Sequence, residues 1–196
     1  MERELKRLGF GWFVIVCALV ALPVRGTAQT ATTFKVLATN RTATMEKEMN
    51  EAAKLGLRFG AAMGGETAVG GKEVVVVMKR PAEPSAGYEY RLLATTKTST
   101  MQRELQDASD AGFAYMGQTV FESTFGGREV VCILEREAGK RGSTGWEYLL
   151  VATMRTSTLE KELQRAGGTG YEVVGLTVAQ TALGGSELVT ILRRQR

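Results

Sequence analysis

Histidine is absent from the 196 residues of this chain. That removes the commonest general base and the commonest protein ligand for metals. A Ser-His-Asp type triad or a zinc site is therefore not available, and the sequence calls for no cofactor and no metal. Cysteine is nearly absent as well, with only Cys17 and Cys132. Cys17 lies in an N-terminal leader, so an exported chain would keep one cysteine and have no internal disulfide. Cys132 falls inside an apolar run and reads as a small core residue, with a nucleophile or an intermolecular disulfide as the competing roles. Proline is scarce too: Pro23 breaks the leader, and Pro81 and Pro84 fall in a linker.

Charge of one sign is also lacking. The full chain carries +4, from 25 basic and 21 acidic residues. Removing residues 1–28 leaves 21 basic and 19 acidic residues, a net of +2. That balance is no nucleic-acid footprint. The tail Arg193-Arg194-Gln195-Arg196 is basic and reads as a solvated chain end, with membrane-surface or anion contact as the alternative.

The leader itself is distinctive. Arg3, Lys6 and Arg7 precede an uncharged run from Leu8 to Leu22, and Gly26-Thr27-Ala28 supplies small residues at a cleavage site. This is the pattern of a secretory signal peptide cut after Ala28. The expected localisation is exported, periplasmic or extracellular. An uncleaved anchor competes, but the run falls short of the roughly 20 residues that span a bilayer. No stable membrane span is expected after cleavage. Cys17 invites a lipoprotein reading, which Val16 and the apolar run beyond the cysteine oppose.

What the rest of the chain has is repetition. Leu37-Ala38-Thr39-Asn40-Arg41-Thr42-Ala43-Thr44-Met45 returns at Leu93–Met101 and again at Val151–Leu159, after steps of 56 and 58 residues. Internal repeats fix an architecture before finer detail is read. Each unit opens with a strand rich in aromatic and branched residues, such as Tyr88 to Ala94 and Trp146 to Ala152, with Phe34 to Ala38 as the shorter first version. A helix follows. Met45, Met49, Ala52 and Gly56 stand at i, i+4, i+7 and i+11, as do Met101, Leu105, Ala108 and Gly112, and Leu159, Leu163, Ala166 and Gly170. Threonines sit where an N-cap hydroxyl belongs, and the glycines where a left-handed stop belongs. Two strands then flank glycine turns at Gly70-Gly71, Gly126-Gly127 and Gly184-Gly185.

The fold class is therefore α+β: three tandem β-α-β-β repeats, each a small sheet with one helix on one face. The boundaries are 1–28 for the signal peptide, then 29–82, 83–139 and 140–196 for the repeats. The last strand of each unit, as in Val74-Val75-Val76-Val77-Met78, is apolar on both faces. One helix covers one face only, so the second face must pack against another repeat or another subunit. The three sheets are expected to pack together, with a pseudo-threefold arrangement as one possibility.

The run Gly170-Tyr171-Glu172-Val173-Val174, a glycine turn, then Leu188-Val189-Thr190-Ile191-Leu192-Arg193-Arg194, resembles a family of small bacterial β-α-β-β domains of unknown function. That family shows a Leu-Asn pair in its helix, approximated by Met49-Asn50, and a Gly-Trp-Glu step after it, approximated by Gly170-Tyr171-Glu172. Gly112-Phe113-Ala114 and Gly56-Leu57-Arg58 depart from the pattern. The resemblance implies a fold and supplies no catalytic residues.

Three polar positions recur. Arg41, Lys97 and Arg155 precede the helices, followed by Thr42, Thr98 and Thr156. A base and hydroxyls at a helix N-terminus could hold an anion or other ligand, or the threonines could simply cap. Glu48, Glu104 and Glu162 flank the buried stripe as acidic candidates. Glu73, Glu129 and Glu187 follow the glycine turns, where three symmetric carboxylates could gather a cation such as calcium. The expected function is an exported, non-enzymatic binding or structural module of the bacterial cell envelope. A protein partner or self-association is favoured over a small molecule, and no nucleic acid is expected. The alternative is a carboxylate-based extracytoplasmic hydrolase, its glutamates meeting between repeats.

Overall fold

The computed structural model describes residues 32–196, apart from 84, 96–97, 123–127 and 181–184. The expected signal peptide lies outside the described residues. Residues 32–196 form one compact unit. Unit 1 contains β1 (Phe34–Thr39), α1 (Thr42–Lys54), β2 (Arg58–Thr67) and β3 (Gly71–Lys79). Unit 2 contains β4 (Tyr88–Thr95), α2 (Thr98–Asp110), β5 (Ala114–Glu122) and β6 (Arg128–Glu137). Unit 3 contains β7 (Trp146–Thr153), α3 (Thr156–Gly167), β8 (Glu172–Gln180) and β9 (Ser186–Gln195). The fold is α+β, with the β-α-β-β unit built three times.

In every unit the last strand is central, giving the orders β1-β3-β2, β4-β6-β5 and β7-β9-β8, all antiparallel. The register repeats: Leu37 faces Val76, Leu93 faces Cys132, and Val151 faces Thr190. A bulge also repeats, between Phe59 and Ala61, Tyr115 and Gly117, and Val173 and Gly175. It shifts the second strand by one residue and re-aims its side chains.

The helices stop by one mechanism. Gly56, Gly112 and Gly170 adopt φ of +79°, +91° and +85°. That turn lets the next amide return to the helix, from Leu57 to Ala52, Phe113 to Ala108 and Tyr171 to Ala166. Arg80, Arg136 and Arg194 then donate to the leftover carbonyls of Leu55, Ala111 and Thr169. The basic tail is thus no solvated chain end. Arg194 also pairs with Glu147 at 2.9 Å, Arg193 stacks on Trp146, and Arg196 pairs with Asp110 at 3.0 Å.

The helix starts differ from the sequence expectation. Arg41 and Arg155 occupy the N-cap positions, and neither makes a side-chain cap bond. Thr42 and Thr156 are already the first helical residues. The hydroxyls of Thr39 and Thr153 instead accept from the amides of Arg41 and Arg155 at 3.3 Å. The first hairpin also turns one residue early, through Ala68-Val69-Gly70, with Gly71 opening β3 at φ +69°. The turn at Gly126-Gly127 and the residue Gly184 lie outside the described residues.

Each sheet has a front, against its own helix, and a back. The front of sheet 1 buries Leu37, Val74, Val76 and Met78 under Met45, Met49 and Ala52 of α1. The same core contains Tyr90, Leu92, Val131 and Ile133 from the back of sheet 2. A second core repeats the arrangement one unit later. Met101, Leu105 and Ala108 of α2 and Cys132 and Leu134 of sheet 2 meet Tyr148, Leu150, Val189 and Ile191 from the back of sheet 3. α1 and α2 are therefore each a wedge between two sheets, and the second face of sheets 2 and 3 is buried by the preceding unit.

The stack does not close on itself. The back of sheet 1 leaves Phe34, Val36 and Met63 exposed, and the front of sheet 3 leaves Val173, Leu176 and Val178 exposed. A closed pseudo-threefold arrangement would have covered both faces. The units run front to back as an open series.

Thr190 occupies the place of Val76 and Cys132, fully buried, and its hydroxyl has no hydrogen-bond partner. An unsatisfied buried hydroxyl is destabilising, and an isosteric apolar group removes that cost. Thr190→Val is expected to raise unfolding stability by about 1 kcal/mol in urea titration.

Candidate functional site

A strand at the edge of a sheet presents unpaired amides and carbonyls that need partners. β4 and β7 find theirs on the helix of the preceding unit. The Asn50 side chain on α1 accepts from the Tyr90 amide and donates to the Tyr90 carbonyl, both at 2.9 Å, and the Glu46 carboxylate accepts from the Leu92 amide at 2.8 Å. One unit later, Gln106 of α2 accepts from the Tyr148 amide at 3.1 Å and donates to the Trp146 carbonyl at 3.2 Å. Gln102 accepts from the Leu150 amide at 3.2 Å, and the Ser109 hydroxyl donates to the Trp146 carbonyl at 2.9 Å. Spacing of four residues places each pair one helical turn apart, matching alternate amides along a strand.

A second tie repeats at the bulges. The Tyr90 hydroxyl accepts from the Phe59 amide at 2.7 Å, and the Tyr148 hydroxyl accepts from the Tyr115 amide at 2.9 Å. In the first joint, the Tyr90 hydroxyl also donates to the buried Glu135 carboxylate at 2.8 Å, and Arg58 grips that carboxylate with two nitrogens, the closer at 2.7 Å. Only 5% of Glu135 is exposed, so the pairing is what lets a charge sit there. Burial raises both tyrosine hydroxyls above their ordinary range, that of Tyr90 the further.

α3 carries the same face with nothing on it. Glu160 and Gln164 stand where Glu46 and Asn50 stand in α1, and the Gln164 amide donates to Glu160 at 3.5 Å rather than to a strand. On the other flank of α3, facing β7, runs an open groove of about 520 Å³. Leu149, Val151, Thr158, Glu162, Arg165 and Thr169 are among its lining residues. In units 1 and 2 it is the flank with the polar pair, together with the second strand, that the next unit covers. Its counterpart in unit 3 is the Glu160–Gln164 flank of α3 with the exposed Val173, Leu176 and Val178 of β8. That uncovered face of α3 and β8 is the candidate site, and its chemistry is that of strand capture: apolar side chains beside a carboxylate and an amide spaced to cap an extended backbone.

The residues singled out from sequence are placed as follows. Arg41 and Arg155 are exposed at two separate helix starts, with Thr42 half-buried and Thr156 exposed. Lys97 lies outside the described residues. The Thr98 hydroxyl donates to Glu187 of β9 at 3.2 Å, which ties unit 2 to unit 3. No two of these helix starts are brought together by a hydrogen bond or ion pair among the described residues. Glu48, Glu104 and Glu162 are half-buried, one per helix, and Glu162 lines the groove. Glu73 accepts from the Thr67 hydroxyl in its own hairpin. No group of three acidic or cysteine side chains able to hold a metal ion occurs among the described residues.

Cys132 is fully buried, free, and 3.7 Å from the Met101 sulfur. Burial pushes its thiol up to about 12, so it is neither a thiolate nor reachable. The carboxyls held below their usual range sit in ion pairs at helix ends. Arg136 lowers Glu89, and the Tyr171 hydroxyl and then Arg194 lower Glu147. Such pairs add stability above the ordinary carboxylate range and lose it as pH falls through the lowered value.

No family model, no curated protein and no solved structure matches this chain. Among the described residues, no helix is long and apolar enough to cross a membrane.

The polar caps on the helices were not picked out by periodicity. Their signal was present as a polar pair four residues apart in each copy: Glu46 and Asn50, Gln102 and Gln106, Glu160 and Gln164. Asn50→Ala removes the partner of an amide and a carbonyl of Tyr90 at once. It is expected to cost about 2 kcal/mol in urea unfolding, while Gln164→Ala, on the unfilled face, changes stability by less than about 0.5 kcal/mol.

Proposed function

We propose that this chain is an exported, non-enzymatic structural or binding module of a bacterial envelope, and that it works by protein contact at the open end of its stack. The observation that carries this reading is the uncovered face formed by the Glu160–Gln164 flank of α3 and the front of β8. It keeps the polar pair that caps a strand in units 1 and 2, beside the exposed Val173, Leu176 and Val178, and it is left without a strand. Capture of an extended segment is a known mode of protein recognition, in which main-chain hydrogen bonds give affinity and side-chain pockets give selectivity. The leader composition supports export. The dispersal of the recurring bases and glutamates over separate helices favours contact over chemistry at a single centre. The unit's likeness in sequence to small bacterial β-α-β-β domains fits the same reading, because a repeated fold is suited to assembly.

The test is a thermal-shift screen of residues 29–196 against anions, divalent cations, sugars and extended peptides. Peptides are expected to raise Tm, and Leu176→Asp on the open face to abolish the rise. A sugar or anion that raises Tm, with the rise lost in Arg155→Ala or Arg41→Ala, would contradict the reading. So would turnover of a glycoside lost in Glu162→Gln.

A further inference from the structure

Resting on the reading of contact at the open end, we propose that the occupant of the uncovered face of α3 and β8 is a second copy of this chain, docked head to tail through the back of sheet 1. The pattern is set by the two joints already inside the molecule. At both, the back of the later sheet lies on the helix and front of the earlier one. The chain ends in one unused half of each kind.

The exposed residues are the ones such a joint would bury. Phe34 and Val36 stand at the positions of Tyr90 and Leu92, and of Tyr148 and Leu150. They are 61% and 63% exposed, against 4% and 9%, and 3% and 9%, for their counterparts inside the stack. On the opposite face, Leu163 of α3 is half-buried, whereas its counterparts Met49 and Leu105 are fully buried. Both faces lack the same layer.

The fit of shapes points to the same partner. Gly117 lies against the Phe59 ring, with room of only 3.4 Å for a Cβ, and a side chain at Gly175 would collide with the Tyr115 hydroxyl. Small therefore faces large at both internal joints. At the free ends the corresponding residues are Ala61 and Val173. The head residue is larger than glycine and the tail residue is smaller than an aromatic, so the two changes run in opposite directions and offset each other in part.

Charge agrees as well. Arg58 meets Glu135 across the first internal joint. The counterparts at the free ends are Glu172 and Lys79, both exposed. Docking would pair them as acid and base with the polarity reversed. Glu160 and Gln164 would cap the outward amides of Val36 and Phe34, as Glu46 and Asn50 cap Leu92 and Tyr90. One tie is missing: Phe34 has no hydroxyl to accept from the Val173 bulge amide. The joint between copies is therefore weaker than those within the chain, and reversible. A head-to-tail contact does not satisfy itself in a dimer, so it continues into an open filament or closes as a ring.

The test uses residues 29–196, which include the whole compact unit. Light scattering is expected to show mass rising past the dimer as concentration is raised towards about 1 mM. Val36→Asp on the head and Val173→Asp on the tail alter exposed side chains, and each variant alone is expected to be monomeric. Mixed in equal amounts they retain one good head and one good tail between them, and should form a dimer and nothing larger. Lys79→Glu or Glu172→Lys alone should weaken association about tenfold, and the two together should restore it.

A monomer over the whole range overturns the inference. Association indifferent to both aspartate variants overturns it too, as does a mixture of the two that stays monomeric. The reading of contact at the open end fails separately, through a small ligand that stabilises the monomer by way of Arg41 or Arg155.

Discussion

The outward amides of β4 and β7 have to be satisfied, and side chains of the preceding helix satisfy them. Without Asn50 and Glu46 for one strand, and Gln106 and Gln102 for the next, each sheet would present a raw edge to its neighbour. With them, the helix serves both sides at once. Its apolar stripe covers its own sheet, and its polar flank fixes the next sheet in direction and register. A unit of some 50 residues has too little core to be stable alone, so the shared wedge is what turns three marginal pieces into one body. The cores reflect this: each holds side chains from two units, and none belongs to a single repeat.

This arrangement explains the ends of the molecule. A wedge needs a sheet on either side, so any finite series leaves one sheet back uncovered and one helix flank unfilled. Repeat proteins commonly close such ends with polar caps. Here the first sheet keeps Phe34, Val36 and Met63 in the open, and the last keeps Val173, Leu176 and Val178. Large exposed apolar side chains gathered in one patch are the kind of feature that marks contact surfaces.

Much of the unit was legible in the sequence because its signals are local. The helix stripe from Met45 to Ala52, the stop at Gly56 and the two-faced strand Val74 to Met78 each follow from spacing within one copy. The demand for a second covering layer followed as well, from apolar residues on both faces of the last strand. What was not legible depends on contacts between units. Nothing in the spacing of Arg58 and Glu135 announces that they meet across 77 residues. The threonines near each helix start looked like caps, but the chain enters the helix one residue earlier, and Arg41 and Arg155 take that position without a side-chain bond. The basic tail looked solvated because its partners, Glu147, Trp146 and Asp110, come from strand and helix positions far away in sequence. The polar caps of the helices were overlooked for a related reason: a Gln or Asn on a helix flank has no evident task until a strand edge is placed against it.

The central claim is that helix side chains seal the edge strands from unit to unit and leave the first edge open. Amide hydrogen exchange resolved by residue, on the dilute monomer, reads this directly. The account predicts slow exchange at Tyr90, Leu92, Tyr148 and Leu150, and exchange faster by orders of magnitude at Phe34 and Val36. It also predicts that Asn50→Ala releases Tyr90 before Tyr148. Equal protection at Phe34 and Tyr90, or fast exchange at all of these amides, would contradict it.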